Sequence, residues 1–350
     1  MNRAELVEAI QGGEAISHAD FAGMDLSGAN LSGGIFEKVN FAGARLEGAS
    51  LKESVFHQCD FTGADLSGAD LAFAMVHQSS FARARLVKAN ALKTKLAKTD
   101  LAGADLGDAK LTLATLTEVD LTGARLASAN LDRASIFQAQ MSGVSFAGAQ
   151  LVRTKLMKAD LTTSVFAGAR FERAVLFQAN LAGLDLAGLD LTMTQLTESD
   201  CSGCDFSRAI LTKCGFKGAD LSGANLEEAK ADGAMFLEAK LVKANLAGAS
   251  LFQAIFQEAD LTMAVLSRAN LERSNLSKAT CKGARFDDAR MTYADLSYAD
   301  VSLASFVGAS LYRARFHRTR DDDATFGLSR AVALGDDALL AEAERWKPMY

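Results

Sequence analysis

A five-residue period constrains the fold of this sequence more than any other feature. From Phe21 to Phe316 it continues through sixty pentads without an inserted or deleted residue. The central residue is Leu, Phe, Ile, Val or Met in 56 pentads, and the residue two positions earlier is usually small. A period of five matches neither the 3.6 residues of a helix nor the two of a strand. Such a repeat predicts one elongated domain.

A second period, of twenty residues, is superimposed on the first. The residue before the centre is Asp or Asn at 11 of 15 positions in the series that starts at Asp20, but at only two in the series of Ile35. Four pentads therefore make one turn. The predicted fold is an all-β solenoid of about fifteen four-sided coils, which would stack at ~4.8 Å into a rod roughly 70 Å long.

The repeat divides the chain into three predicted segments. Residues 1–17 are an N-terminal helical cap, 18–318 the β-helix, and 319–350 a C-terminal cap with a helix. Asn2 and Glu5 have the spacing of a capping pair, which predicts a helix over residues 2–11.

The C-terminal helix is predicted to start at Gly335-Asp336-Asp337 and to end at Pro348. This helix could also join two copies of the chain end to end, so a homodimer is one predicted partner arrangement. One face of it would carry Leu339, Leu340, Ala343 and Trp346.

The segments Ala64-Asp65-Leu66-Ser67-Gly68 and Ala104-Asp105-Leu106 match the pattern A-[DN]-L-x-x, so the chain resembles the pentapeptide repeat family over residues 19–318. The resemblance implies a right-handed quadrilateral β-helix and, in general, no catalysis. One branch of the family mimics DNA and binds DNA gyrase or topoisomerase IV, as quinolone-resistance proteins do. Another consists of long arrays associated with bacterial type VI secretion.

The helical lead from Leu6 to Phe21 and the long array without loop insertions are more similar to the secretion-associated branch. The resemblance therefore implies a scaffold or adaptor that binds other proteins. A gyrase or topoisomerase modulator is the alternative, and weak nucleic-acid binding through basic positions is a second alternative. The net charge of −6 disfavours nucleic acid.

Composition and spacing predict no enzyme, no cofactor and no metal centre. No apolar stretch reaches the length of a membrane helix, and the N-terminus lacks the basic start and apolar run of a signal peptide, so a cytoplasmic protein is expected. Cys201, Cys204 and Cys214 fall on inward positions of the repeat, which favours core packing over zinc binding. His57 and His77 are twenty residues apart and are predicted to stack as a solvated surface pair.

The first candidate site lies on the half of the solenoid that departs from the consensus. There, arginines two positions after a centre are each followed along the coil by an outward apolar residue, a combination typical of binding hot spots. A weaker aromatic candidate comprises Tyr293, Tyr298 and Tyr312. The partner-binding candidates are Arg133, Phe137, Arg153, Met157, Arg173 and Phe177.

The alternative site is an acidic track on the consensus-like half, which is expected to be smooth and acidic. Stacked carboxylates could imitate a phosphate backbone, although Asp can also simply hydrogen-bond the turn that follows it. The members of the track are Asp20, Asp60, Asp100, Asp120, Asp160, Asp200, Asp220, Asp260 and Asp300.

Overall fold

The computed structural model describes residues 1–345, and the chain packs as two compact units, Met1–Asn180 and Leu181–Tyr350. Each unit is a solenoid built from the five-residue repeat. Within each unit we name the four sides by their first centres: Phe21, Leu26, Leu31 and Phe36 begin the first to fourth sides, and each side recurs every twenty residues. The predicted boundaries at residues 17 and 318 remain predictions.

The first unit contains one helix and eight short strands, which form a parallel sheet in chain order. These elements are α1 (Arg3–Gln11), β1 (Ala15–Ser17), β2 (Ile35–Glu37), β3 (Val55–His57), β4 (Met75–His77), β5 (Lys95–Ala97), β6 (Thr115–Thr117), β7 (Ser135–Phe137) and β8 (Lys155–Met157). The second unit contains the strands β9 (Ser305–Phe306) and β10 (Thr325–Phe326), a 3₁₀ helix (Leu328–Val332) and α2 (Ala338–Arg345).

The register of the strands confirms the period of twenty. Ile16 pairs with Phe36 between β1 and β2, and Phe306 pairs with Phe326 between β9 and β10. The other sides are joined by single parallel bridges at the same spacing, such as that between Asp20 and Asn40. The predicted β-solenoid with a short helix near each end is therefore confirmed.

The position two after each centre adopts a left-handed backbone, which the sequence alone did not reveal. Among the described residues, forty non-glycine residues have φ between 50° and 63° there, including Arg133 and Arg153. This conformation costs an ordinary residue roughly 1–2 kcal/mol. This cost explains why Gly is frequent two positions after the centre. Glycine has no Cβ, so it turns the chain at the corner without the penalty.

The fourth side of the first unit differs from the others. Elsewhere the centre accepts a hydrogen bond across the corner, as Phe41 O does from Ala44 N at 2.9 Å. In the described chain this bond is missing from the fourth side between Phe36 and Leu156, where the strands lie instead. It returns between Ala179 N and Leu176 O at 3.2 Å. The fourth side is thus extended only in the first unit, while β9 and β10 of the second unit lie on the second side.

The interior is filled by the centres and the small residues two positions before them. Phe61 stacks between Phe41 and Phe81, with ring centroids 4.7 and 4.5 Å away. At several positions where the small residue is polar, its side chain reaches the carbonyl of a centre 23 residues earlier. Thr154 Oγ1 donates to Leu131 O at 2.7 Å in this way. These inward hydroxyl groups are therefore hydrogen-bonded within the core.

The two helices are present as predicted. Asn2 and Glu5 form the predicted capping box of α1, and Leu6 and Ile10 are buried. In α2, the carboxylate of Asp337 accepts hydrogen bonds from the backbone of Leu339 and Leu340.

The predicted apolar face of α2 is largely exposed in the single chain, and the helix turns a different residue inward. Leu339 is 80% exposed, and Ala341 is the residue it buries. Trp346 and Pro348, on which the predicted dimer and helix end depended, lie outside the described residues. Neither helix has the length and hydrophobicity of a membrane span.

Candidate protein-binding surface

The three predicted arginines line one corner of the first unit, where the third side meets the fourth. Arg133, Arg153 and Arg173 all have positive φ, so each side chain leaves the backbone at the turn and is exposed. Consecutive rungs are locked by backbone bonds, including Arg133 N to Val152 O at 2.9 Å. The repeat therefore holds the three guanidinium groups in a row.

The apolar residues beside them are less exposed than predicted. Phe137 pairs in register with Met157 between β7 and β8, and Phe177 follows on the next coil. All three are half-buried rather than fully exposed, because side chains stacked one rung apart cover one another. They form an apolar floor beside the arginines.

Carboxylates neutralise two of the three arginines. Arg133 Nε lies 3.7 Å from Asp132, and Arg173 Nε lies 3.9 Å from Glu172. Arg153 follows Val152 instead and has no ion pair within residues 1–345. The middle arginine therefore keeps its charge available for a partner.

The structure adds lysines that the sequence reasoning missed. Lys155 precedes the centre of β8 and Lys158 follows it; both are exposed and neither forms an ion pair in the described chain. We call the following set the basic corner: eight basic residues flanked by only three acidic ones, Glu118, Asp132 and Glu172. Its basic members are Lys93, Lys95, Lys98, Arg133, Arg153, Lys155, Lys158 and Arg173. Extending the twenty-residue spacing to lysines would have revealed it.

One rung before Lys93, the basic corner borders on an aromatic residue that is more exposed than Phe137. Phe73 occupies the same position on its coil as Lys93 does on the next, and is 43% exposed. Lys93 Nζ lies 5.4 Å from the centre of its ring, within the range of a cation–π contact. Aromatic and cationic groups therefore alternate here as well.

A break in the backbone ladder lies beside the apolar floor. Two positions after a centre of the fourth side, the backbone N–H normally bonds the next rung, as Gln58 N does to His77 O at 3.0 Å. In the described chain the equivalent bond from Gln138 N is missing. Within residues 1–345, Met141 N and Asp160 N lack their ladder bonds as well. An open cavity of about 400 Å³ occupies this place, bordered by Gln140, Lys158 and Thr163 among others.

We expect this break to show in amide hydrogen exchange. Gln138 N should exchange on the order of 10³-fold faster than Gln58 N, because only the latter must open before exchange. The two residues share type, column and backbone conformation, so Gln58 is a matched control. Site-resolved exchange by NMR measures both. Equal protection of the two amides would contradict the break.

The acidic track does not form a continuous ladder of free carboxylates. Every Asp of the predicted track accepts a hydrogen bond from the backbone N–H two residues later; the Asp120 bond from Thr122 N is 2.8 Å. In the first unit, Asn40, Ser80 and Gln140 interrupt the column. The main structural role of these carboxylates is therefore to stabilise the turns by accepting backbone hydrogen bonds.

Cations offset the negative charge of this column in the second unit. Burial alone would raise the pKa of Asp220, but hydrogen bonds from Ser222 and the charge of Lys240 outweigh it and lower the pKa. The pKa of Asp300 is lowered in the same way by Ser302 and Arg320, against the effect of burial. Both carboxylates stay ionised, with a cation on the adjacent rung.

The second side of the first unit corrects the prediction of a smooth acidic half. Asp and Arg alternate there at twenty-residue intervals and form ion pairs across the rungs. Arg125 Nη2 lies 2.8 Å from Asp105, and Arg45 Nη1 lies 3.3 Å from Asp25. Arg85 pairs similarly with Asp65 at 3.6 Å. This side is zwitterionic, which makes it a poor imitation of DNA.

Comparison with known sequences identifies the repeat. The family described as pentapeptide repeats matches overlapping segments that together run from residue 16 to residue 320. The chain belongs to the pentapeptide repeat family. Among proteins of curated function, none matches it significantly.

Several solved pentapeptide repeat proteins are similar to this chain. HetL, involved in heterocyst differentiation regulation in the cyanobacterium Nostoc, is 25% identical over 90% of this chain and 96% of its own, with a TM-score of 0.23. QnrB1, a plasmid-mediated fluoroquinolone resistance protein, is 19% identical over 65% of this chain and 99% of its own, with a TM-score of 0.23. A protein of the Arabidopsis thaliana thylakoid lumen is 28% identical over 41% of this chain and 82% of its own, with a TM-score of 0.18.

The cysteines of this pentapeptide repeat protein are buried, as predicted. Cys204 Sγ donates to Leu181 O at 2.9 Å and Cys214 Sγ to Leu191 O at 2.8 Å, in the same manner as Thr154. Burial raises the pKa of Cys214 to about 12, so its thiol stays protonated. These thiols are core side chains.

The aromatic group near the end of the array separates into two contacts. Tyr293 and Tyr312 meet edge to face at 6.0 Å. Tyr298 packs instead against the buried His317 at 5.4 Å and hydrogen-bonds Glu344 of α2. Tyr298 thus fastens the C-terminal helix to the array, and the predicted three-tyrosine site is reduced to a pair.

Proposed function

We propose that this pentapeptide repeat protein is a non-catalytic scaffold or adaptor that captures an acidic protein partner through the basic corner. One observation carries the proposal: Arg153, Lys155 and Lys158 stand exposed and unpaired in the described chain beside the half-buried Phe137 and Met157. Unpaired cations next to an apolar floor fit a partner that supplies carboxylates around an apolar contact.

The cellular context belongs to the same proposal. We place the protein in the cytoplasm, which the five free cysteines support. Its helical lead, α1, and the array without inserted loops support a role in type VI secretion. Neither feature contributes to the basic corner, so the corner can be tested independently of the context.

Charge reversal tests the proposed surface. The variant Arg153→Glu/Lys155→Glu should weaken partner binding on the order of 10–100-fold, because two attractive contacts become repulsive. Lys230→Glu/Lys243→Glu is the matched control, since it makes the same charge change at exposed, unpaired lysines of the second unit. Affinity capture with each variant, followed by calorimetry on the purified partner, measures the difference.

The outcome separates the competing functions. If both variants bind the partner equally well, the basic corner is not the site. Binding to duplex DNA with a steep loss in salt would replace the acidic partner with nucleic acid. Inhibition of gyrase supercoiling that survives Arg153→Glu/Lys155→Glu would favour the topoisomerase-binding alternative, despite the interrupted acidic track.

A further inference from the structure

Two histidines face each other across adjacent strands, one rung before the coil of Lys95 and Lys98 in the basic corner. His57 ends β3 and His77 ends β4, and the two residues pair in register. Their Nδ1 atoms are 3.2 Å apart, and their rings are nearly parallel, with centroids 5.2 Å apart. Both side chains lie at the surface. The sheet, not the side chains, fixes this proximity.

Two imidazole nitrogens at this distance need a positive atom between them. Either one nitrogen donates a proton to the other, or a cation takes its place, because two facing lone pairs repel each other. Zinc–nitrogen bonds are about 2.0–2.1 Å long, so two nitrogens 3.2 Å apart would subtend roughly 100° at the metal. That angle is close to tetrahedral.

We propose that His57 and His77 form a two-ligand site for a divalent transition-metal ion of the zinc type. The parallel rings must tilt about χ2 to aim at one ion, which is a soft torsion for histidine at the surface. Imidazole is the ligand that suits Zn²⁺, Ni²⁺ and Cu²⁺. A metal bound here would clamp two coils together.

The surroundings leave the other coordination positions open. Glu37 lies one rung beyond His57 and pairs with Lys38 at 3.8 Å, while Ala97 lies one rung beyond His77. Within residues 1–345, no cluster of three or more His, Cys, Asp or Glu has metal-site geometry. Water therefore completes the coordination shell, as in sites that keep positions open for an external ligand.

Zinc titration of the full chain tests the site. Isothermal calorimetry in a non-chelating buffer should show one ion per chain, and His57→Ala or His77→Ala should weaken binding on the order of 10–100-fold. His18→Ala is the matched control, because His18 is an exposed histidine of the same strand-bearing side without a partner histidine on the next rung. It should leave binding unchanged.

A relocation variant distinguishes the pair from general surface binding. In the His57→Ala background, Ala97→His places a new imidazole one rung beyond His77, so it should restore the affinity. Zinc binding that survives His57→Ala/His77→Ala overturns the proposal. So does loss of binding with His317→Ala alone, which would move the site to the C-terminal cap. Circular dichroism confirms that each variant is folded.

Discussion

Replacing Phe61 with Ala is expected to lower the free energy of unfolding by about 3–5 kcal/mol. The ring is fully buried and stacks on both neighbouring coils, at 4.7 Å from Phe41 and 4.5 Å from Phe81. It also meets Phe56 edge to face at 5.2 Å. Its removal leaves a cavity that three rigid rings cannot fill, and coils fixed by backbone ladders cannot collapse around it.

Phe73→Ala provides the control for this result. It deletes the same atoms within the same unit, but its ring is 43% exposed and contacts Lys93. We expect a loss of about 1 kcal/mol or less. Urea unfolding followed by circular dichroism compares the midpoints, provided the slope is unchanged. Equal losses for the two variants would mean that the phenylalanine stack does not support the core.

The sequence was sufficient to predict the architecture because every coil repeats the same packing of a large and a small inward residue on each side. Small and large inward residues at fixed spacing are compatible with few folds and few strand registers. The pairing of Ile16 with Phe36 could therefore be predicted from the sequence. The C-terminal end was harder, since α2 leaves the repeat and its packing depends on contacts such as that between Tyr298 and Glu344. No five-residue rule predicts such contacts.

The candidate surfaces were only partly predictable, for a related reason. Twenty-residue spacing correctly aligned Arg133 with Arg153, but exposure depends on how stacked side chains cover one another, and Phe137 is half-buried as a result. The ion pair between Asp105 and Arg125 was available from the same spacing and was overlooked. The ladder break at Gln138 has no sequence signal that we can identify.

Ala224→Leu is the complementary experiment, because it overfills the interior instead of emptying it. Ala224 lies two positions before the centre Leu226 and is fully buried. Its backbone is held on both sides: Ala224 N donates to Leu221 O at 3.0 Å, and Ala224 O accepts from Asn245 N at 2.9 Å. A larger side chain cannot be accommodated by moving this backbone outward without breaking those bonds.

The expected cost is at least about 1–3 kcal/mol, the usual range for overpacking. It should lie at the upper end, because Cys204 and Ala244 occupy the same inward position only one rung away on either side. Glu227→Leu is the control: it introduces the same side chain three residues away, at an exposed position. Thermal unfolding of both variants measures the difference. If Ala224→Leu melts no earlier than Glu227→Leu, the small inward residue does not limit the width of the coil, and the five-residue pattern requires another physical cause.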